Sequence, residues 1–331
     1  MHHTFSPGRR QSSLLNSAPV SRTLRSNPVL PSPSADPQLS WINGKYYYCE
    51  SSEKGIFLRV ADDFLALAES PQIRVFTPPL RGPTSRNIWA PELHLIDGRC
   101  YIYFAADDGD NANHRMHVLA TDDANPLGKY TLQGELDTEG WAIDGTVFCD
   151  NFGARYFVWS GWAGRVDGQQ NLYISRMKSP TELCGGRVLL CTPNLYWERN
   201  GLPICEGPQV LLRDGRIFIV YSASASWTSD YCLGMLVCNE GDVMDPDNWR
   251  KVGKVFGSNE HAWGVGHCGF ITTPQGEDWI LYHSKTLRRP GWEDREVRAQ
   301  PYSWNHYGHP VFGEPRARNR PLAHALVTRA A

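Results

Sequence analysis

At 331 residues the chain exceeds the usual size of a single hydrophobic core, so it is either two domains or one modular domain. Hydrophobic content of 41%, charged content of 21% and a formal net charge of −2 describe a globular protein, with no electrostatic reason to expect nucleic acid or an anionic membrane as partner. No stretch approaches the roughly 18 apolar residues of a membrane span, and nine cysteines form neither a C-x-x-C pair nor a Cys/His zinc spacing.

Residues 1–33 are rich in Ser, Pro and Arg, contain no acidic residue and lack the apolar core of a secretory leader. They read as a disordered tail, and the chain as a reduced, cytoplasmic protein. Beyond them a repeat begins. Five turn glycines, Gly44, Gly98, Gly153, Gly215 and Gly276, recur at separations of 54, 55, 62 and 61 residues. Asn43-Gly44, Asp97-Gly98 and Asp214-Gly215 carry the hairpin signal for a turn with positive φ. A β-branched and aromatic strand follows each glycine: Tyr46 to Tyr48, Tyr101 to Phe104, Tyr156 to Trp159, Ile217 to Tyr221 and Trp279 to Tyr282. No long segment shows helical periodicity. Cys100, Cys149 and Cys205 lie in apolar runs and read as buried free thiols.

Five units of several antiparallel strands predict an all-β fold, a five-bladed β-propeller with blades of about four strands. Residues 34–316 form the propeller and 317–331 a C-terminal tail. The innermost strand of each blade starts at one mouth of the central channel, so residues in register converge there. Asp36 stands eight residues before its turn glycine, while Asp144, Glu206 and His267 stand nine before theirs. In the second unit the slot falls at Trp89-Ala90. The register therefore places Asp36, Trp89-Ala90, Asp144, Glu206 and His267 around one mouth.

Carboxyls gathered in this way suit glycoside hydrolysis, which needs a proton donor at the leaving oxygen and a carboxylate to activate water or to attack. Glu206, flanked by Ile204, Cys205, Gly207 and Pro208, is the candidate acid, because desolvation favours its neutral form. Asp36, held by Pro37, is the candidate base. Asp144 is a third carboxyl that orients the acid and keeps it protonated by like-charge repulsion. Trp89 offers an apolar wall for a sugar ring, in a chain with 12 Trp and 14 Tyr.

Ala35-Asp36-Pro37, the run Asn87 to Leu93, the run Ala142 to Phe148, the run Glu206 to Val210 and Gly266-His267 together resemble glycoside hydrolase family 43. The stretches Tyr101 to Gly109, Asn113 to Met116 and Tyr221 to Ser224 are similar, more narrowly, to its exo-acting α-L-arabinofuranosidases. The resemblance covers roughly residues 34–316. It implies a five-bladed propeller that hydrolyses with inversion and needs no cofactor. By position it gives Asp36 as general base, Asp144 as modulator of the acid's pKa and Glu206 as general acid. It also implies that Arg298 reaches into the sugar pocket and that His267 stands near a central calcium or other cation. Val265 and Cys268 depart from the family's pattern there, and a thiol is a poor ligand for a hard cation.

The expected activity is removal of terminal α-L-arabinofuranosyl residues from arabinan or arabino-oligosaccharides. The rival readings are a β-D-xylosidase of the same family, an endo-arabinanase, or a carbohydrate-binding propeller without catalysis. The expected partner is an arabinofuranose-containing saccharide, with neither nucleic acid nor membrane. Oligomeric state is left open.

Overall fold

The computed structural model describes residues 25–322. Five antiparallel sheets follow one another along the chain, each with its strands in sequence order. Blade 1 comprises Gln38–Ile42, Lys45–Ser52, Gly55–Ala61 and Ile73–Phe76. Blade 2 comprises Arg86–Ile96, Arg99–Asp107, Arg115–Ala120 and Thr131–Glu135. Blade 3 comprises Ala142–Cys149, Arg155–Trp162, Gln170–Ser179 and Glu182–Cys191. Blade 4 comprises Cys205–Arg213, Arg216–Ala223, Cys232–Cys238 and Trp249–Phe256. Blade 5 has three strands, Trp263–Thr272, Asp278–Lys285 and Arg295–Pro301. The first strands of successive blades neighbour one another and close a ring, with the first strand of blade 5 against that of blade 1. The fold is the expected five-bladed propeller.

Alternation along the strands explains why this ring holds. Tyr46 and Tyr48 enter an apolar cluster shared with blade 5, whereas Tyr47 and Cys49 enter one shared with blade 2. Ile217, Ile219 and Tyr221 likewise face blade 3, while Phe218 and Val220 face blade 5. Five such clusters fill the five junctions between blades. A strand buried on both faces reads as a continuous apolar run, which is how these strands appear in the sequence. The hairpin turns behave as their residues require. Asn43, Asp97 and Asp214 have φ near +50°, each followed by a glycine near +80°.

The boundaries at both ends need correction. Residues 25–33 belong to the propeller and not to a tail. Val29 and Leu30 are buried, and their N–H groups donate to Val297 O while Leu30 O accepts from Val297 N. The segment therefore pairs with the edge of blade 5, where a fourth strand would lie. The Asn27 side chain bonds both the N–H and the carbonyl of Ala299. Arg25–Ser26 pairs with Pro321–Leu322, so the C-terminal boundary moves outward as well. Residues 1–24 and 323–331, the rest of the two expected tails, lie outside the described residues. All nine cysteines are free thiols, but Cys149 is exposed, because it ends its strand at the channel's far side.

Candidate active site

Each blade has a residue with positive φ in or just before its innermost strand at the mouth: Asp36 at 50°, Ala90 at 41°, Asp144 at 56°, Gly207 at 54° and His267 at 41°, with Asn87 and Gly264 adding a second in blades 2 and 5. Four of the five are not glycine, a conformation that costs roughly 1–2 kcal/mol for an L-residue. In blades 2 to 5 the strand pairing slips at this point, between Trp89 and Glu92, Ile143 and Thr146, Glu206 and Gln209, and Gly266 and Cys268. Such bulges re-aim side chains, here toward the channel mouth.

Glu206 does not occupy the slot that counting from the turn glycine suggests. Gly207 does, and Glu206 precedes it, in register with Trp89 and Ile143. The miscount has a structural origin. The first hairpin of blade 3 spans Cys149 to Arg155, whereas that of blade 4 turns tightly between Arg213 and Arg216. Equal distance from the glycine is therefore not equal depth in the channel.

These residues meet in a cavity of about 470 Å³, lined at its base by Asp36, Trp89, Asp144, Glu206 and His267. Asp36 Oδ1 lies 3.1 Å from His283 Nδ1, 3.4 Å from His267 Nδ1 and 3.5 Å from Arg295 Nη1. Burial pushes its carboxyl up, but His267, Arg295 and the His283 hydrogen bond outweigh that and hold it well below the usual carboxylate range. Asp36 therefore remains ionised. Glu206 behaves oppositely. Burial and the Asp36 charge push it up to about 7, against the Tyr231 hydroxyl that donates to Oε1 at 2.8 Å. Asp144 is pushed up to about 7 by burial, with Glu206 and Asp36 adding to the shift. Its Oδ2 accepts from the Gly207 N–H at 3.1 Å, so it fixes the peptide that follows Glu206. A side chain at Gly207 would press on the His267 ring, 3.1 Å from where its Cβ would stand.

Three further residues escaped the sequence reading. His283 is fully buried, and burial lowers its pKa to about 4, so it is a neutral partner for Asp36. Tyr231 stacks on His283 with ring centroids 5.4 Å apart and planes 8° apart. The chain Glu206–Tyr231–His283–Asp36 thus links the two differing carboxyls. Arg295 is the third. The only available signal was a polar residue inside an apolar strand or at a strand start, which core histidines and surface arginines share.

Arg298 requires correction. It is buried, and its Nε donates to Glu296 Oε1 at 2.8 Å. Its Nη1 donates to the carbonyls of His261 and Arg316. It ties blade 5 to the C-terminal segment and does not line the cavity. Arg295, three residues earlier and on the opposite face of the strand, does. Trp89 lines the cavity, 38% exposed and stacked on His114 at 4.0 Å.

The donors around His267 do not make a calcium cage. A calcium ion takes six to eight oxygens, whereas His267 Nδ1 faces two carboxylates that it pairs with directly. Cys268 is turned into the apolar cluster between blades 4 and 5. Among the described residues, only Cys191, Glu198 and Cys205 bring three candidate ligand atoms within 4.8 Å of one another. There the Lys251 ammonium already holds both Glu198 oxygens, at 2.7 and 2.9 Å.

The description Glycosyl hydrolases family 43 matches residues 25–310. The chain belongs to that family. Over 317 residues it is 33% identical to an extracellular exo-α-(1→5)-L-arabinofuranosidase of Streptomyces avermitilis, covering 91% of this chain and 66% of that protein. It thus spans just under two thirds of that relative's length. An enzyme of the same name from Streptomyces chartreusis is 35% identical over 77% of this chain and 80% of its own length. The crystal structure of an α-L-arabinofuranosidase from Lactobacillus brevis superposes with a TM-score of 0.84 at 33% identity, covering 89% of this chain and 98% of that one. Two of these relatives are named extracellular, which overturns the expectation of a cytoplasmic location.

Proposed function

We propose that this propeller is an inverting exo-α-L-arabinofuranosidase acting on arabinan side chains or arabino-oligosaccharides. The observation that carries the reading is the opposed electrostatics of two carboxyls in one cavity: Asp36 held well below the usual carboxylate range, Glu206 pushed up to about 7. Pairs of titratable groups pushed apart in this way mark a base and an acid.

Glu206 transfers its proton to the glycosidic oxygen as the bond from that oxygen to the anomeric carbon breaks. Asp36 accepts a proton from a water molecule, whose oxygen forms the new bond to the anomeric carbon from the opposite face. The sugar leaves with inverted configuration, Asp36 protonated and Glu206 ionised, and proton exchange with solvent resets both. Asp144 holds the Glu206–Gly207 peptide in place and, as a third buried carboxyl, favours the protonated acid. His283 and Arg295 keep Asp36 charged and oriented. Trp89 supplies an apolar wall for the furanose ring. The named activities of the Streptomyces and Lactobacillus relatives support arabinofuranose as the sugar removed.

The deciding experiment is proton NMR of the first product released from a linear α-(1→5)-arabino-oligosaccharide. β-L-arabinofuranose released one residue at a time is the expected result. An α product would overturn inversion, and internal cleavage would overturn the exo mode.

A further inference from the structure

The rim of the cavity is built unequally. Four blades send the loop between their second and third strands over the mouth: residues 108–114, 163–169, 224–231 and 286–294. Blade 1 does not, since only two residues separate Lys45–Ser52 from Gly55–Ala61. Blades 2 and 3 contribute Asn111 and Asp167, whereas blades 4 and 5 contribute Trp227 and Trp292.

The aromatic side is a constructed feature. Trp292 and Trp227 meet edge to face, with centroids 5.4 Å apart and planes at 76°. The Trp292 indole N–H donates to Ser226 Oγ at 3.0 Å. Its loop is anchored from below by Lys285, whose side chain is fully buried and whose ammonium bonds Asp294 at 2.9 Å and the carbonyl of Gly291. Asp294 also accepts from the Leu287 N–H, and the Gly291 N–H donates to Trp227 O. Even so, Trp292 remains 48% exposed, an expense of apolar surface that intramolecular packing does not require.

We propose that Trp292, backed by Trp227, is the platform for the sugar ring on the leaving side of the scissile bond. Asn111 and Asp167 face that ring's hydroxyls from across the cavity, and the low rim over blade 1 leaves room for the chain beyond it. This inference rests on the arabinofuranosidase reading and deepens it, by assigning what recognises the leaving group. Three features carry it. Trp227 lies on the blade that supplies Glu206, hence on the side toward which the leaving oxygen departs. The indole face and the opposing amide and carboxylate match a ring with one apolar face and a hydroxyl edge. The bonds to Ser226, Lys285 and Asp294 fix the platform before substrate arrives, which lowers the ordering cost of binding.

The test compares α-(1→5)-arabinobiose, which has a sugar on the leaving side, with methyl α-L-arabinofuranoside, which has none. For Trp292→Ala, kcat/KM on the disaccharide falls about ten-fold, while the methyl glycoside changes by less than about two-fold. Trp292→Phe restores most of the disaccharide rate. An unchanged disaccharide rate, or an equal loss on both substrates, overturns the platform. A wild-type enzyme that cleaves neither substrate overturns the arabinofuranosidase reading instead.

Discussion

Two rings of residues lie along the channel, two residues apart in every blade, and their polar members have opposite fates. The upper ring is Asp36, Ala90, Asp144, Gly207 and His267; the lower is Gln38, Glu92, Thr146, Gln209 and Gly269. In the lower ring the buried Glu92 carboxylate accepts from Gln209 on one oxygen and meets His94 Nε2 at 2.9 Å on the other. Gln38 exchanges two hydrogen bonds with the Leu93 backbone, each 3.0 Å. That ring is satisfied by a bond between two members and by the neighbouring His94 side chain and Leu93 backbone. At the upper ring, with Glu206 one residue before it, the carboxyls crowd one another, Asp36 taking the basic partners while Glu206 and Asp144 are left with raised proton affinity. Both rings are largely buried. Incomplete neutralisation is what separates a site able to move protons from a structural plug.

The sharpest break of this comparison is Asp36→Ala, expected to lower kcat/KM by roughly 10³ or more on oligosaccharide and aryl glycoside alike. Glu206→Ala should match that loss on the oligosaccharide but largely spare an aryl substrate whose leaving group needs little protonation. Steady-state rates on both substrates read the contrast, and full oligosaccharide activity in either variant would remove it from its role.

The pH profile comes next. Activity needs Glu206 protonated, so kcat/KM should fall as pH rises through about 7, while the acid limb, set by Asp36, lies below the usual carboxylate range. Asp144→Asn removes a like charge and should move the alkaline limb to lower pH. Tyr231→Phe removes a donor that favours the ionised acid, so it should move the limb upward, with about a ten-fold loss of rate from the misplaced carboxyl. A common direction in the two variants would show that the raised values have another origin.

The smallest effect on activity belongs to the lower ring. Glu92→Gln sets an amide donor against existing donors and should cost about 1–3 kcal/mol of stability by denaturant titration. The rate should stay within about two-fold of wild type. A large loss of rate with unchanged stability would erase the distinction between the rings.

Most of the architecture was legible because propeller blades repeat local rules. Asn43-Gly44, Asp97-Gly98 and Asp214-Gly215 dictate tight hairpins through their own backbone preferences, and strands buried on both faces read as unbroken apolar runs. The carboxyls Asp36, Asp144 and Glu206 were legible for the same reason, since each heads a repeat. Positions that depend on non-local packing were not. Glu206 sits one residue before its expected slot because two hairpins differ in length. Arg298 lost the cavity to Arg295 because strand alternation, not motif likeness, decides which face a side chain takes. Residues 29–30 joined blade 5 through hydrogen bonds to Val297, a partner far away in sequence.

By itself, then, the order of residues determined a five-fold β repeat and the three acids at its mouth, because turn chemistry and side-chain alternation act over a few residues. Tertiary structure decided which acid is ionised, through His267, Arg295 and His283 around Asp36 and through the burial of Glu206, since proton affinity depends on charges and burial brought together from different blades.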